Sequence, residues 1–206
     1  MASMALSAKQ RQAFLAMARR RTRPGSGSRP DALRESAPEY GGAIVGTYQG
    51  TVRFVIVGGL ATHLYMPARM TVDVDILILR DDLPEAETAL DTARAVKLGA
   101  RAIGGSTWRL PTNHCLDVIA VDEPWVDAAL ARPVTGPDGQ PYVALPYLVL
   151  MKLASGRVQD LADISRMLGA ATPEQVRKTE QVVKRYRPQD VEDLASLVAL
   201  GRLEYE

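Results

Sequence analysis

One cysteine in 206 residues excludes an intrachain disulfide, and with two histidines there is no Cys/His spacing of the kind that builds a zinc site. No apolar run approaches the roughly 18 to 20 residues that span a bilayer, and the N-terminus lacks the hydrophobic segment of a secretory leader. A cytoplasmic location without a membrane partner is therefore expected. Internal repeats are absent as well. What remains, 47% hydrophobic and 24% charged residues, is the composition of a globular protein with a real core, either one ordinary domain or one with a small helical extension. Cys115 reads as a small buried strand residue, Trp108 and Trp125 as core or groove-wall side chains, and His63 and His114 as hydrogen-bonded structural histidines.

The formal net charge of +1 hides an uneven distribution. Residues 1–34 carry eight basic groups (Lys9, Arg11, Arg19, Arg20, Arg21, Arg23, Arg29 and Arg34) against Asp31, a balance of +7. The remaining 17 basic and 23 acidic residues give the body −6. A basic arm of this kind suits a polyanion such as RNA, and it is equally the composition of a solvated tail.

The chain is organised around Phe54–Ile78. An apolar burst, Phe54-Val55-Ile56-Val57, runs into Gly58-Gly59, a short helical segment and a second β-branched burst that carries Asp73 and Asp75. On a strand Val72, Val74 and Ile76 face one way, and Asp73, Asp75 and Leu77 the other. Two carboxylates on one face of an apolar strand repel each other and resist desolvation, and a divalent cation, magnesium first, keeps both ionised. The glycine pair lets the backbone turn sharply and approach an anion closely. Further on, Asp117 stands alone in the apolar strand Cys115-Leu116-Asp117-Val118-Ile119, where an unpaired charge is costly. It needs a partner, and an ion pair with Arg101 or Arg109 is one solution.

The order strand, Gly58-Gly59, helix, Arg69-x-Thr71-x-Asp73-x-Asp75 resembles the core motif of the polymerase-β-like nucleotidyltransferases, above all their MNT-type and AbiEii-like toxin branch. The resemblance extends over about Arg53 to Leu168. It includes Lys152 in an apolar helix followed by Arg157-x-x-Asp160-x-x-Asp163. It implies that Asp73 and Asp75 hold Mg²⁺, with Mn²⁺ as an alternative, and that Asp117 is the third metal carboxylate. It further implies that Gly58 and Gly59 contact the phosphates of an NTP, that Arg69 and Thr71 orient the carboxylates or the triphosphate, and that Lys152 and Asp160 face the nucleotide. From the residues alone, Lys152 is as well read as a helix lysine paired with Asp160 or Asp163.

The fold expected is α/β, a nucleotidyltransferase-type mixed sheet flanked by helices with a C-terminal helical cap. Residues 1–30 form a basic helix and flexible linker, 31–145 the α/β core and 146–206 the helical region. Ser7 with Gln10 opens a first helix whose face is Ala13, Phe14, Met17 and Ala18, Asp31 caps a short helix to Ala37, and Ala43–Val45 is too brief to assign. Pro84 to Leu98 reads as a helix stopped by Gly99, 107–110 and 115–120 as strands, and Pro133 to Leu145 as a hairpin. Thr172-Pro173-Glu174-Gln175 is a capped helix start, and Val191, Leu194, Ala195 and Val198 are the apolar stripe of the last helix. Lys178, Lys184, Arg185 and Arg187 form either an RNA-facing basic surface or a solvated face.

The function expected is transfer of an NMP from an NTP to an acceptor, tRNA first, with release of pyrophosphate, by the toxin of a toxin–antitoxin pair whose antitoxin is a further partner. Aminoglycoside and lincosamide nucleotidyltransferases share the glycine pair and Asp-x-Asp, which makes antibiotic modification the rival activity. A non-catalytic nucleotide-binding or interaction protein of the same fold is the third reading.

Overall fold

The computed structural model describes residues 8–21, 52–66 and 73–205, and these divide into two compact units. One holds helix α1 (Ala8–Arg21), residues 65–66 and the chain from Leu145 onward; the other holds 52–64 and 73–144. Arg69, Thr71, the Ser7 cap, the 23–30 linker, the short helix from Asp31 and the Ala43–Val45 segment lie outside the described residues.

In the second unit the β-branched run Val55-Ile56-Val57 forms the buried strand β1 (Val55–Val57), followed directly by the short helix α2 (Gly58–Thr62). Next come β2 (Val74–Leu79), a 3₁₀ turn at Arg80–Asp82, α3 (Leu83–Thr92), β3 (Val96–Ala100) and β4 (Gly105–Arg109). Then β5 (Cys115–Val121), α4 (Val126–Ala131), β6 (Val134–Thr135) and β7 (Pro141–Tyr142) complete the unit. The strands make one seven-stranded mixed sheet in the order β3-β4-β5-β2-β1-β7-β6, parallel at β2/β5 and β1/β7 and antiparallel elsewhere. The expected α/β architecture, with flanking helices and C-terminal helices, is what forms.

The core is apolar on both sheet faces. Val74, Ile76 and Ile78 are buried on one side of β2 and Leu77 on the other, each gaining about 1.5 to 3 kcal/mol over its exposed state. Helix α3 buries Ala86 and Leu90, and Glu87 ties it to the sheet. Glu87 accepts from Lys97 Nζ at 2.7 Å and from Ser106 Oγ at 2.7 Å, and Ser106 Oγ in turn accepts from Trp108 Nε1 at 2.8 Å. Burial pushes the Glu87 carboxyl upward, yet the bonds from Lys97 and Ser106 outweigh it and leave the group below its ordinary 4.5. Trp108 and Trp125 are core residues, as expected.

One element differs from expectation. The helix from Leu83 stops at Thr92 instead of continuing to Leu98, because Arg94 takes up φ +61° and the chain reverses into β3. Arg94 N–H donates to Asp91 O and Ala95 N–H to Leu90 O, both at 2.9 Å, the bonding pattern of a Schellman helix end. Val96-x-Leu98-x-Ala100 suits either period, and this turn settles it as a strand. All five β3 residues are exposed, and β3 is an edge of the sheet.

In the first unit, α5 (Leu145–Ser155), α6 (Val158–Gly169), α7 (Pro173–Tyr186), a 3₁₀ turn (Pro188–Asp190) and α8 (Val191–Tyr205) follow one another. The expected cap on α7 forms fully: Gln175 N–H donates to Thr172 Oγ1 at 3.2 Å, and Thr172 N–H donates to Gln175 Oε1 at 2.8 Å. Helices α6 and α8 cross closely because Gly201 rests on the Ser165 carbonyl and Gly169 on the Gly201 carbonyl, with no room for a Cβ at either. The stripe on α8 includes Leu194 and Val198 as expected, but Leu197 and Gly201 complete it, while Val191 and Ala195 are exposed. On α1, which packs against α8, Leu15 is buried, and the expected Met17 is 47% exposed.

A left-handed arginine at a helix end is a strained choice. Arg94→Gly is expected to raise stability by about 1 kcal/mol, a gain of roughly 2 to 4 °C in Tm. Thermal unfolding followed by circular dichroism measures it, and an unchanged or lower Tm would contradict the strain argument.

Candidate active site

Strand register assembles the polar residues of the sheet. Val57 pairs with Asp75, Asp75 with Asp117, Asp117 with Thr107 and Thr107 with Gly99, so one row crosses β1, β2, β5, β4 and β3. Partners in register on adjacent strands present the same face, and strands lie about 4.8 Å apart, which stands the two carboxylates side by side. Val55, Leu77, Ile119 and Gly105 form the row two residues away on that face, and there Leu77 and Ile119 are buried. The acidic row thus stands next to an apolar floor.

The glycine corner is fitted to this row. Gly58 has φ +64°, and a Cβ on it would overlap the Asp75 carboxylate. The sequence folds this way because only glycine combines a left-handed turn with a side chain's place left empty for a carboxylate. Thr62 Oγ1 donates to Gly58 O at 2.8 Å, tying α2 back onto the corner.

Asp117 is fully engaged. Thr107 Oγ1 donates to its Oδ1 at 2.6 Å, and the Arg101 guanidinium forms an ion pair with its Oδ2. Of the two arginines the sequence offered, Arg101 is the one used. Asp73 is exposed and sits just before β2, two residues from Asp75. Among the described residues no three His, Cys, Asp or Glu side chains are gathered closely enough to hold one metal ion. The two that stand together are Asp75 and Asp117. Their oxygens are hard donors of the kind magnesium and manganese take, so these are the residues that could hold a divalent ion, with the Arg101 guanidinium as the cation now on Asp117.

In the helical unit Lys152 is 6% exposed, Asp160 1% and Asp163 0%. Lys152 Nζ donates to Asp160 Oδ1 at 3.0 Å and to Asp163 Oδ2 at 2.7 Å. Asp160 also accepts from Arg157 Nε at 2.6 Å and from Ser155 Oγ, while Gln159 Nε2 donates to Asp163 Oδ1 at 3.0 Å. Burial raises the Asp160 carboxyl, but Arg157, Lys152 and Ser155 together bring it below its ordinary 3.8. Two cations and two anions therefore balance inside one hydrogen-bonded knot that joins α5 to α6. This is the paired-lysine arrangement, with the Lys152 ammonium turned to its own unit's carboxylates.

The basic stretch of α7 is also largely engaged. Lys178 bridges to Glu174 at 2.7 Å, Arg187 to Asp190, and the Arg185 guanidinium lies 5.2 Å from the centre of the Tyr186 ring. Lys184 and Arg177 line a shallow groove with Glu180, Gln181, Val191 and Ala195. Thr107 was not foreseen as a site residue, because its place opposite Asp117 depends on β4/β5 register, which no local pattern specifies. Asp163 stands in the sequence as a partner open to Lys152, and Gln159 is legible only as the i−4 neighbour of Asp163 on an α-helix.

No family model matches this chain, and no curated protein does. Among solved structures it is similar to the solution structure of the antibiotic-resistance factor ANT(2'')-Ia, with 13% identity over 93% of this chain and 91% of that one at a TM-score of 0.40. It is also similar to a crystal structure of ANT(2'')-Ia in complex with adenylyl-2''-tobramycin, with 16% identity over 80% of this chain and 94% of that one at a TM-score of 0.39. Among the described residues no helix is long and apolar enough to cross a membrane.

Two substitutions test the geometry. Gly58→Ala is expected to destabilise by at least about 1 to 2 kcal/mol through its left-handed backbone, with a further loss from the Asp75 overlap that Asp75→Ala in the same chain relieves. Additive losses in a denaturant double-mutant cycle would contradict the contact. Lys152→Met removes the ammonium that both buried carboxylates share and is expected to cost about 3 to 5 kcal/mol, partly recovered by adding Asp163→Asn. A loss under 1 kcal/mol by urea unfolding would show that the knot is not what joins α5 to α6.

Proposed function

We propose that this chain is a metal-dependent nucleotidyltransferase that moves an NMP from an NTP to an RNA acceptor, tRNA first, and that it acts as the toxin of a toxin–antitoxin pair. The observation that carries this reading is the side-by-side placement of Asp75 and Asp117 against the Gly58 corner. The charge distribution supports an RNA acceptor, since residues 1–34 carry +7 and the body −6.

In this reading Asp75 and Asp117, with Asp73 at the mouth of β2, hold Mg²⁺ or Mn²⁺. Such an ion, when bound, screens the triphosphate and acidifies an acceptor hydroxyl. The rest is positioning by the chain itself. Gly58 and Gly59 present bare backbone where phosphate oxygens must approach. Thr107 fixes the rotamer of Asp117 through its hydrogen bond, and the buried Leu77 and Ile119 form an apolar row beside the carboxylates. Attack forms a bond from the acceptor oxygen to the α-phosphorus as the bond from that phosphorus to pyrophosphate breaks, in line. Arg69 and Thr71 are assigned to steering the carboxylates or the triphosphate. Lys152 and Asp160 hold the α5–α6 pair together, and their assignment to the nucleotide rests on the resemblance of the Lys152, Asp160 pattern.

Incubation of the full chain with α-labelled NTP, Mg²⁺ and either bulk tRNA or an aminoglycoside tests the reading. Label is expected on the RNA, and Asp75→Asn is expected to reduce it by about a hundredfold or more while leaving the protein folded. Label on the drug instead would keep the transfer chemistry and replace the acceptor. Label on neither, with an intact fold, would end the enzymatic reading and leave a binding protein.

A further inference from the structure

Arg101 is set on a turn that the sheet does not let move. Arg101 N–H donates to Gly105 O at 2.9 Å, Gly104 N–H donates to Arg101 O at 3.1 Å, and Ala120 N–H donates to Gly104 O at 3.4 Å. Gly104 and Gly105 have φ +101° and +98°, and a Cβ on either would run into the carbonyl of Ala120 or of Val118. The backbone from which Arg101 projects is therefore locked onto β5, the strand that carries Asp117. Only the side chain is left free to move.

That side chain is held on one flank alone. Its Nη1 pairs with Asp117, whereas its Nε is buried without a hydrogen-bond partner among the described residues. A buried N–H with no acceptor offsets part of what the ion pair gains. The Arg101 and Asp117 side chains are 27% and 19% exposed, shielded enough for the pair to form firmly and open enough for solvent ions to reach it. Asp75, the register neighbour of Asp117, is the carboxylate with which a cation at this place would be shared.

We infer that Arg101 is the resident counter-cation of Asp117, which a divalent ion entering between Asp75 and Asp117 must displace, so that Arg101 sets the metal affinity of the site. The inference rests on the reading that these carboxylates take a divalent ion. Arg101 is thus a positioning residue: it pairs with the Asp117 carboxylate and fixes how that group is turned, and it leaves when a doubly charged ion does the same task better. Two cations cannot share the Asp117 oxygens at contact distance without strong repulsion, so occupancy by one weakens the other.

The test is Mn²⁺ titration of the full chain without nucleotide, free ion being counted by electron paramagnetic resonance. Arg101→Gln is expected to tighten Mn²⁺ binding by about tenfold, the scale on which neighbours of metal ligands act, and Arg101→Lys by less. In an Asp117→Asn background Arg101→Gln is expected to change nothing. Circular dichroism melts accompany each protein, and Arg101→Lys carries the test should the glutamine variant fail to fold. Equal Mn²⁺ affinity in the wild type and the Arg101 variants, with binding abolished by Asp75→Asn, would overturn this inference and leave the metal site standing. Absence of Mn²⁺ binding in every protein, or binding indifferent to both Asp75→Asn and Asp117→Asn, would overturn the metal reading and this inference with it.

Discussion

Two carboxylates held in register on neighbouring parallel strands repel each other, and the sheet unit is built to contain that repulsion. Asp75 is received by an empty corner at Gly58, where any side chain would collide with it. Asp117 is received by Thr107 and Arg101. Each arrangement draws on a different element: the β1–α2 turn, the β4 strand and the β3–β4 turn. The seven-stranded order brings these elements together, so the acidic row is a product of topology and not of any one segment.

The helical unit solves a similar problem in the opposite way. There Lys152, Asp160 and Asp163 are buried, and with Arg157 at the exposed rim they neutralise one another through direct hydrogen bonds. Such a knot gains little over an apolar core, but breaking one member strands the others, which makes it a device for specifying one helix pairing. In the sheet unit the charges stay partly exposed and one guanidinium nitrogen is left unsatisfied. A buried set of paired charges is suited to architecture, whereas a more open one is suited to chemistry with a ligand.

Much of this was legible in the residues. The glycine pair between two β-branched runs, the need of Asp117 for a partner, the capping box at Thr172 and the pairing open to Lys152 all rest on local chemistry that a short window of sequence displays. Other features were hidden for physical reasons. The reversal at Arg94 puts a non-glycine residue in a glycine-type conformation, so the helix period seemed to run on through Val96. Thr107 and the choice of Arg101 over Arg109 depend on register between strands, a long-range property. Leu15 was passed over on α1 because the periodic face was drawn through Met17, whose side chain is exposed.

The sheet ends at β3, whose five residues all face solvent and include Val96 and Leu98. An open edge with aliphatic side chains is a template onto which another chain can add a strand, the first step toward cross-β aggregation. Two features blunt it: a register shift between Lys97 and Gly99, and the charge of Lys97, the second residue of the strand. The interruption that makes this edge a poor ladder is therefore a safeguard against self-templating.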